Sequence, residues 1–166
     1  MMELTFECHV SHGIALFIEA LSDNNNRTVA NVKSIMNKNG GTLETNGSLA
    51  FLFTRKGVFV VPRKPDMDVE ALEMDLIDGG LEEMEADDEY LTLYTAYEDF
   101  GNMVKMLEEK GIECESAELQ RIPNNTRQVD EETIRKVMKI IGILEEDDDI
   151  TNVYHDLDIP DDFEEE

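Results

Sequence analysis

The chain has 166 residues, 41% of them apolar, and a net charge of −25, which is sequence enough for one ordinary domain or two small ones with real cores. No window approaches 18 consecutive apolar residues, and the start Met1-Met2-Glu3-Leu4-Thr5 has neither a basic nor an apolar leader region, so a membrane span is excluded and a cytoplasmic globular protein is expected. The charge is uneven: residues 1–64 carry seven Lys+Arg against five Asp+Glu, whereas residues 65–166 carry seven against thirty-four. Only the first stretch suits a nucleic acid backbone; the second repels phosphates and favours solubility or basic protein surfaces.

In chain order, the near-continuous apolar run Gly13 to Leu21, bounded by the polar cluster Ser22 to Asn26, predicts a buried central strand. Val29, Val32, Ile35 and Met36 then share one face of a helix, with Asn26 as its N-cap and Gly40-Gly41 as its stop. Ser48 to Phe53 predicts another buried strand, and a turn through Arg55-Lys56-Gly57 leads into the strand beginning Val58-Phe59-Val60-Val61. After the break from Pro62 to Pro65, Asp68 opens a helix carrying Val69, Leu72, Leu76 and Ile77, which Gly79-Gly80 closes. Leu81 to Glu85 and Tyr90 to Thr95 predict two strands around Asp87-Asp88. Thr95 to Glu98 has the form of a capping box ahead of a helix with Phe100, Met103, Val104 and Leu107 on one face, and a strand from Ile112 to about Arg121 follows Gly111. That order is βαββαβ, the split arrangement of ferredoxin-like folds.

The remaining segment offers one helix, capped by Asp130 and faced by Ile134, Val137, Met138, Ile141 and Leu144, and one strand from Ile150 to Leu157. One helix and one strand do not make a core, so they are expected to return to the N-terminal elements. The fold class expected is α+β: a discontinuous domain of residues 1–56 and 122–160, an inserted ferredoxin-like domain at 57–121, and a solvated acidic tail at 161–166.

Catalytic chemistry is hard to find. His9, His12 and His155 lack paired ligand spacing, no HExxH, GxSxG or Gly-rich phosphate loop occurs, and Cys8 and Cys114 lie outside any CxxC pair. Carboxylates are so abundant that a close pair says nothing about catalysis. A non-enzyme with no cofactor and no metal is expected, with His155 in a hydrogen-bonded structural role.

One long motif is specific. Glu19-Ala20-Leu21-Ser22-Asp23-Asn24-Asn25-Asn26-Arg27-Thr28-Val29-Ala30-Asn31-Val32 resembles the E-A-x-[ST]-D-N-x-N-R-T-x-A-x-V signature of the YebC/PmpR family of bacterial gene-expression factors. Asn39-Gly40-Gly41 through Gly47-Ser48-Leu49 to Phe53, Ile122-Pro123-Asn124-Asn125-Thr126, Leu144 to Asp149 and Asn152-Val153-Tyr154-His155 are similar to further family motifs, so the likeness covers nearly the whole chain. It implies a ferredoxin-like domain inserted in a middle α+β domain, and a role in gene expression exercised either on DNA at promoters or on the ribosome, through ribosomal or transfer RNA and basic ribosomal proteins. Two departures stand out. The family's basic helical N-terminal domain has no counterpart in these residues, so a truncated form is expected. Phe6-Glu7-Cys8-His9-Val10-Ser11-His12-Gly13 stands where the family has a Y-E-G-Y-G-P-x-G loop, agreeing outright only at Glu7 and Gly13, so any nucleic-acid contact made there is expected to be lost or altered.

Most of the signature has a structural explanation: Asp23, Asn24 and Asn26 suit a helix cap ahead of Arg27 and Thr28, and Gly40, Gly41, Gly47 and Ser48 suit turns. Arg27, Asn31, Lys33, Lys38, Arg55 and Lys56 remain as the expected nucleic-acid or ribosome contacts, with Arg27 near a helix N-terminus that itself attracts phosphate. The rival expectation is a protein-interaction module that binds ribosomal proteins or full-length relatives without touching nucleic acid.

Overall fold

A computed structural model of the chain describes residues 1–164. It is mixed α+β, with two four-stranded antiparallel sheets and four α-helices. The chain divides into two compact units, Met1–Phe53 with Pro123–Glu166, and Thr54–Ile122.

In the first unit, β1 (Met2–Val10) and β2 (Ile14–Ser22) form a long hairpin, α1 (Asn25–Lys38) and β3 (Thr42–Glu44) follow, and α4 (Glu131–Glu145) and β8 (Ile150–His155) return to it, giving the order β3-β1-β2-β8. The apolar run in β2 exists because both its faces are covered. Ile14, Leu16, Ile18 and Ala20 alternate toward α1 and α4, meeting Val32, Met36, Ile134, Val137, Ile141 and Leu144. Ala15 and Phe17 point the other way into a smaller cluster with Leu49 and Phe53, where the Phe17 and Phe53 rings meet edge to face at 6.0 Å.

The second unit runs from β4 (Phe53–Pro62, its first residue in the first unit) through α2 (Val69–Leu76), β5 (Leu81–Ala86), β6 (Tyr90–Ala96) and α3 (Phe100–Glu109) to β7 (Ser116–Pro123). The strand order β5-β6-β4-β7 is that of a split βαβ fold. Phe59, Val61, Leu91 and Leu93 pack against Leu72, Leu76, Met103 and Leu107 of the two helices.

Several expected elements are placed differently. Residues 6–10 are not a loop: they belong to β1, with Cys8 and Val10 buried beneath the helices, and the left-handed backbone falls two residues later at His12 (φ 58°) and Gly13 (φ 74°). The strand expected at 48–53 is a turn and a short 3-10 segment, Ala50–Leu52; its apolar residues serve the small cluster over β2, not a ladder. The third strand of that sheet is instead the short Thr42–Glu44. Arg55-Lys56-Gly57 makes no turn, because β4 runs straight through it, and Gly57 stands where a Cβ would collide with Thr95 Oγ1. The capping box ahead of α3 does not form: Thr95 Oγ1 donates to the Ala96 carbonyl, and a 3-10 turn at Tyr97–Asp99 leads into the helix. The segment at 161–166 is not wholly a solvated tail, since Phe163 packs against the first unit's core with the Arg135 guanidinium 5.0 Å from its ring centre; Glu165 and Glu166 lie outside the described residues.

Candidate nucleic-acid interface

The signature residues gather at the start of α1. Asn24, not Asn26, is the N-cap: its Oδ1 accepts from the Arg27 amide at 3.1 Å. Thr28 is fully buried, and its hydroxyl lies 2.6 Å from Ser22 Oγ and 2.8 Å from Asp149 Oδ2. Arg27 reaches the same carboxylate through two nitrogens, Nε to Oδ2 at 3.1 Å and Nη2 to Oδ1 at 2.8 Å, and Nη2 also donates to Asp23 at 2.9 Å. The Thr28 hydrogen bond and then the Arg27 guanidinium hold the Asp149 carboxyl below the ordinary aspartate range, and Asp149 and Asp23 in turn hold Arg27 more firmly in its charged form. Asn31, one turn further on, donates through Nδ2 to Asp147 at 3.1 Å.

These contacts clamp α1 to the acidic turn that connects α4 to β8. The two residues nearest the expected phosphate-binding helix start, Arg27 and Asn31, are thereby engaged by three carboxylates of their own chain. The helix N-terminus faces acid, not an open anion site.

The other expected contacts lie elsewhere. Lys33 and Lys38 are exposed on the second half of α1. Arg55 and Lys56 belong to the second unit, where the Arg55 guanidinium sits 4.4 Å from the Tyr97 ring centre and Lys56 Nζ lies 3.6 Å from Glu82 Oε1. The turn residues act structurally. Gly40 is left-handed at φ 73°, and at Gly41 a Cβ would come within 2.7 Å of Met36 Sδ and 3.3 Å of the His9 carbonyl, so the chain passes too close to β1 for a side chain. Ser48 Oγ donates to the Thr45 carbonyl at 2.6 Å.

Glu7, one of the two residues retained from the family loop, organises the Gly47 turn from below. Its side chain is buried, and its carboxylate accepts from the Gly47 amide and, at 2.7 Å, from the Leu49 amide. Gly13, the other, lets the Arg127 guanidinium lie 3.6 Å from where its Cβ would stand. His155 is tied to its own strand end, its Nδ1 accepting from the Leu157 amide at 3.1 Å, and burial pushes its imidazole toward the neutral form.

A family model described as the TACO1/YebC second and third domain matches residues 1–157. This chain belongs to the TACO1/YebC family. It is 46% identical over 155 residues to a probable transcriptional regulatory protein of Porphyromonas gingivalis, covering 93% of this chain and 64% of that protein. A probable transcriptional regulatory protein of Parabacteroides distasonis is also 46% identical, over 164 residues, 99% of this chain and 67% of that protein. The chain thus spans about two thirds of the length of these relatives. Among solved structures, a conserved hypothetical protein from Aquifex aeolicus superimposes with a TM-score of 0.86 at 34% identity, over 99% of this chain and 68% of that one. No helix among the described residues is long and apolar enough to cross a membrane.

Two cations not expected from the sequence, Lys136 and Lys139, join Lys38, which was expected. Lys136 and Lys139 on α4 and Lys38 at the end of α1 line one depression of about 410 Å³. Neighbouring i,i+3 lysines in an amphipathic helix read as an ordinary solvated face, and nothing in the sequence joins them to Lys38, roughly a hundred residues away.

Proposed function

We propose that this chain is a non-enzymatic regulator of gene expression that works against the ribosome. The observation that carries this reading is membership over residues 1–157 in a family whose relatives are named probable transcriptional regulatory proteins. The charge distribution supports the ribosome over duplex DNA: a small lysine-bearing face beside a chain of thirty-nine acids matches a surface that mixes RNA with basic protein. Base readout also lacks its tools, because Arg27 and Asn31 are held by Asp149 and Asp147.

That same engagement favours the second reading, a module that binds basic ribosomal proteins through its acidic surface without touching nucleic acid. The test is sedimentation of tagged protein with ribosomes at low and moderate salt, with and without ribonuclease. Co-sedimentation supports the ribosome reading, and survival of the complex after ribonuclease selects the protein-only form. Ribosome-free fractions at both salts overturn the ribosome reading.

A further inference from the structure

The depression between α1 and α4 is unlike its surroundings. Lys38 enters from the last turn of α1, Lys136 and Lys139 from the middle of α4, and Ser11, Asn39 and Ile140 complete the wall; no lining residue is acidic. In a chain with fourteen basic and thirty-nine acidic residues, three lysines lining one hollow with no acid among its lining residues are a strong local departure from the overall field. The end of α1 is usually hostile to anions, since its free carbonyls carry partial negative charge. Here two of those carbonyls are occupied: Met36 O accepts from the Asn39 and Gly41 amides at 3.2 and 2.8 Å, and Ile35 O accepts from Asn39 Nδ2 at 2.8 Å. The one acid engaged with these lysines among the described ion pairs, Glu132, meets Lys136 at 3.6 Å as an exposed i,i+4 pair, which is weak and easily exchanged.

We propose that Lys38, Lys136 and Lys139 form a phosphodiester-binding site, through which this unit grips a nucleic acid backbone. This rests on the reading that the chain works in contact with nucleic acid, and it moves the contact from the N-terminal end of α1, where the signature lies, to its C-terminal end. At 1.5 Å per residue the shift from Arg27 to Lys38 is about 16 Å. The hollow is polar and cationic, and it offers no aromatic surface for a base, so it holds backbone without reading sequence.

The experiment is fluorescence anisotropy of short labelled RNA and DNA duplexes with the full chain, between 50 and 200 mM salt. Three phosphate contacts at a slope of about −0.9 each predict an affinity about fortyfold weaker at the higher salt, and K136Q/K139Q, which leaves one contact, an affinity only about fourfold weaker. A charge-matched control, K64Q/K105Q, changes exposed lysines of the second unit and should keep the wild-type slope. Tighter binding of RNA than DNA assigns the backbone to RNA; equal binding assigns it to nucleic acid generally, and either supports the site. Equal loss in both double variants, or no salt-sensitive binding at 50 mM, overturns it. Ribosome co-sedimentation that survives K136Q/K139Q would remove this site while leaving the proposed function standing.

Discussion

Glu7 offers the sharpest test of how the family's Gly-Ser-Leu turn is held. It is only 2% exposed, and its two carboxylate oxygens take the Gly47 and Leu49 amides. Glu7→Ala removes both acceptors. The Leu49 amide, on a residue 6% exposed, is left without an acceptor at a cost of about 1–3 kcal/mol, while the Gly47 amide, on an exposed residue, recovers part of its loss from water. Leu49 also anchors the small cluster with Ala15, Phe17 and Phe53, so loosening the turn unseats that packing as well. A total of roughly 2–4 kcal/mol is expected, which for a unit of about one hundred residues lowers Tm by at least about 8 °C. Glu7→Gln keeps one accepting oxygen and should lose about half as much. Urea titration gives the stability, and amide hydrogen exchange at Gly47 and Leu49 localises the effect. An alanine variant within about 0.5 kcal/mol of wild type, with the Leu49 amide still protected, would refute the reasoning.

Asp149, whose carboxyl is held below the ordinary aspartate range by Thr28 and Arg27, contributes stability that is fully present above that ordinary value and is lost as pH falls through its lower folded value; Asp149→Asn should therefore be less stable than wild type at neutral pH, with the gap closing in strong acid when both are followed by circular dichroism. The Cys8 thiol, fully buried and pushed up to about 12 chiefly by burial, should resist a thiol reagent at mildly alkaline pH until the protein unfolds, while half-buried Cys114 reacts first; equal, rapid rates for both would contradict the burial of β1 beneath the helices. Excising Thr54–Ile122 and joining the ends with a short Gly/Ser linker should leave a cooperatively melting remainder, because Asn124 N already donates to the Leu52 carbonyl at 2.9 Å and the two chain ends are adjacent; helix signal without a cooperative transition would count against this. Duplex DNA should bind this chain more weakly than micromolar near physiological salt and without sequence preference, since a handful of phosphate contacts is lost as salt rises; selective sub-micromolar binding in an anisotropy titration would contradict it.

How much of this was legible in the sequence depends on how local each signal was. The helices were, because apolar residues recurring at helical spacing and an Asp ahead of each of α2 and α4 depend only on near neighbours, and Asp68 and Asp130 do cap them. So was the buried character of β2, since a strand covered on both faces must be apolar throughout. The family was legible too, from a signature whose residues turn out to serve one cap and one clamp. Tertiary structure alone decided the rest. β1 was missed because its buried apolar residues Phe6, Cys8 and Val10 line one face only, while Glu7 between them is buried on the opposite face, where its charge conceals a strand until its two amide partners, some forty residues away, are in view. The run at 48–53 was apolar for packing over β2, a purpose that periodicity cannot distinguish from a strand. Arg27 and Asn31 looked like free contacts because, beyond the neighbouring Asp23, the acids that engage them, Asp149 and Asp147, lie more than a hundred residues along the chain. Lys38 met Lys136 and Lys139 only when α1 and α4 packed side by side on one sheet, for electrostatic convergence is a property of distance in space and not of separation in sequence.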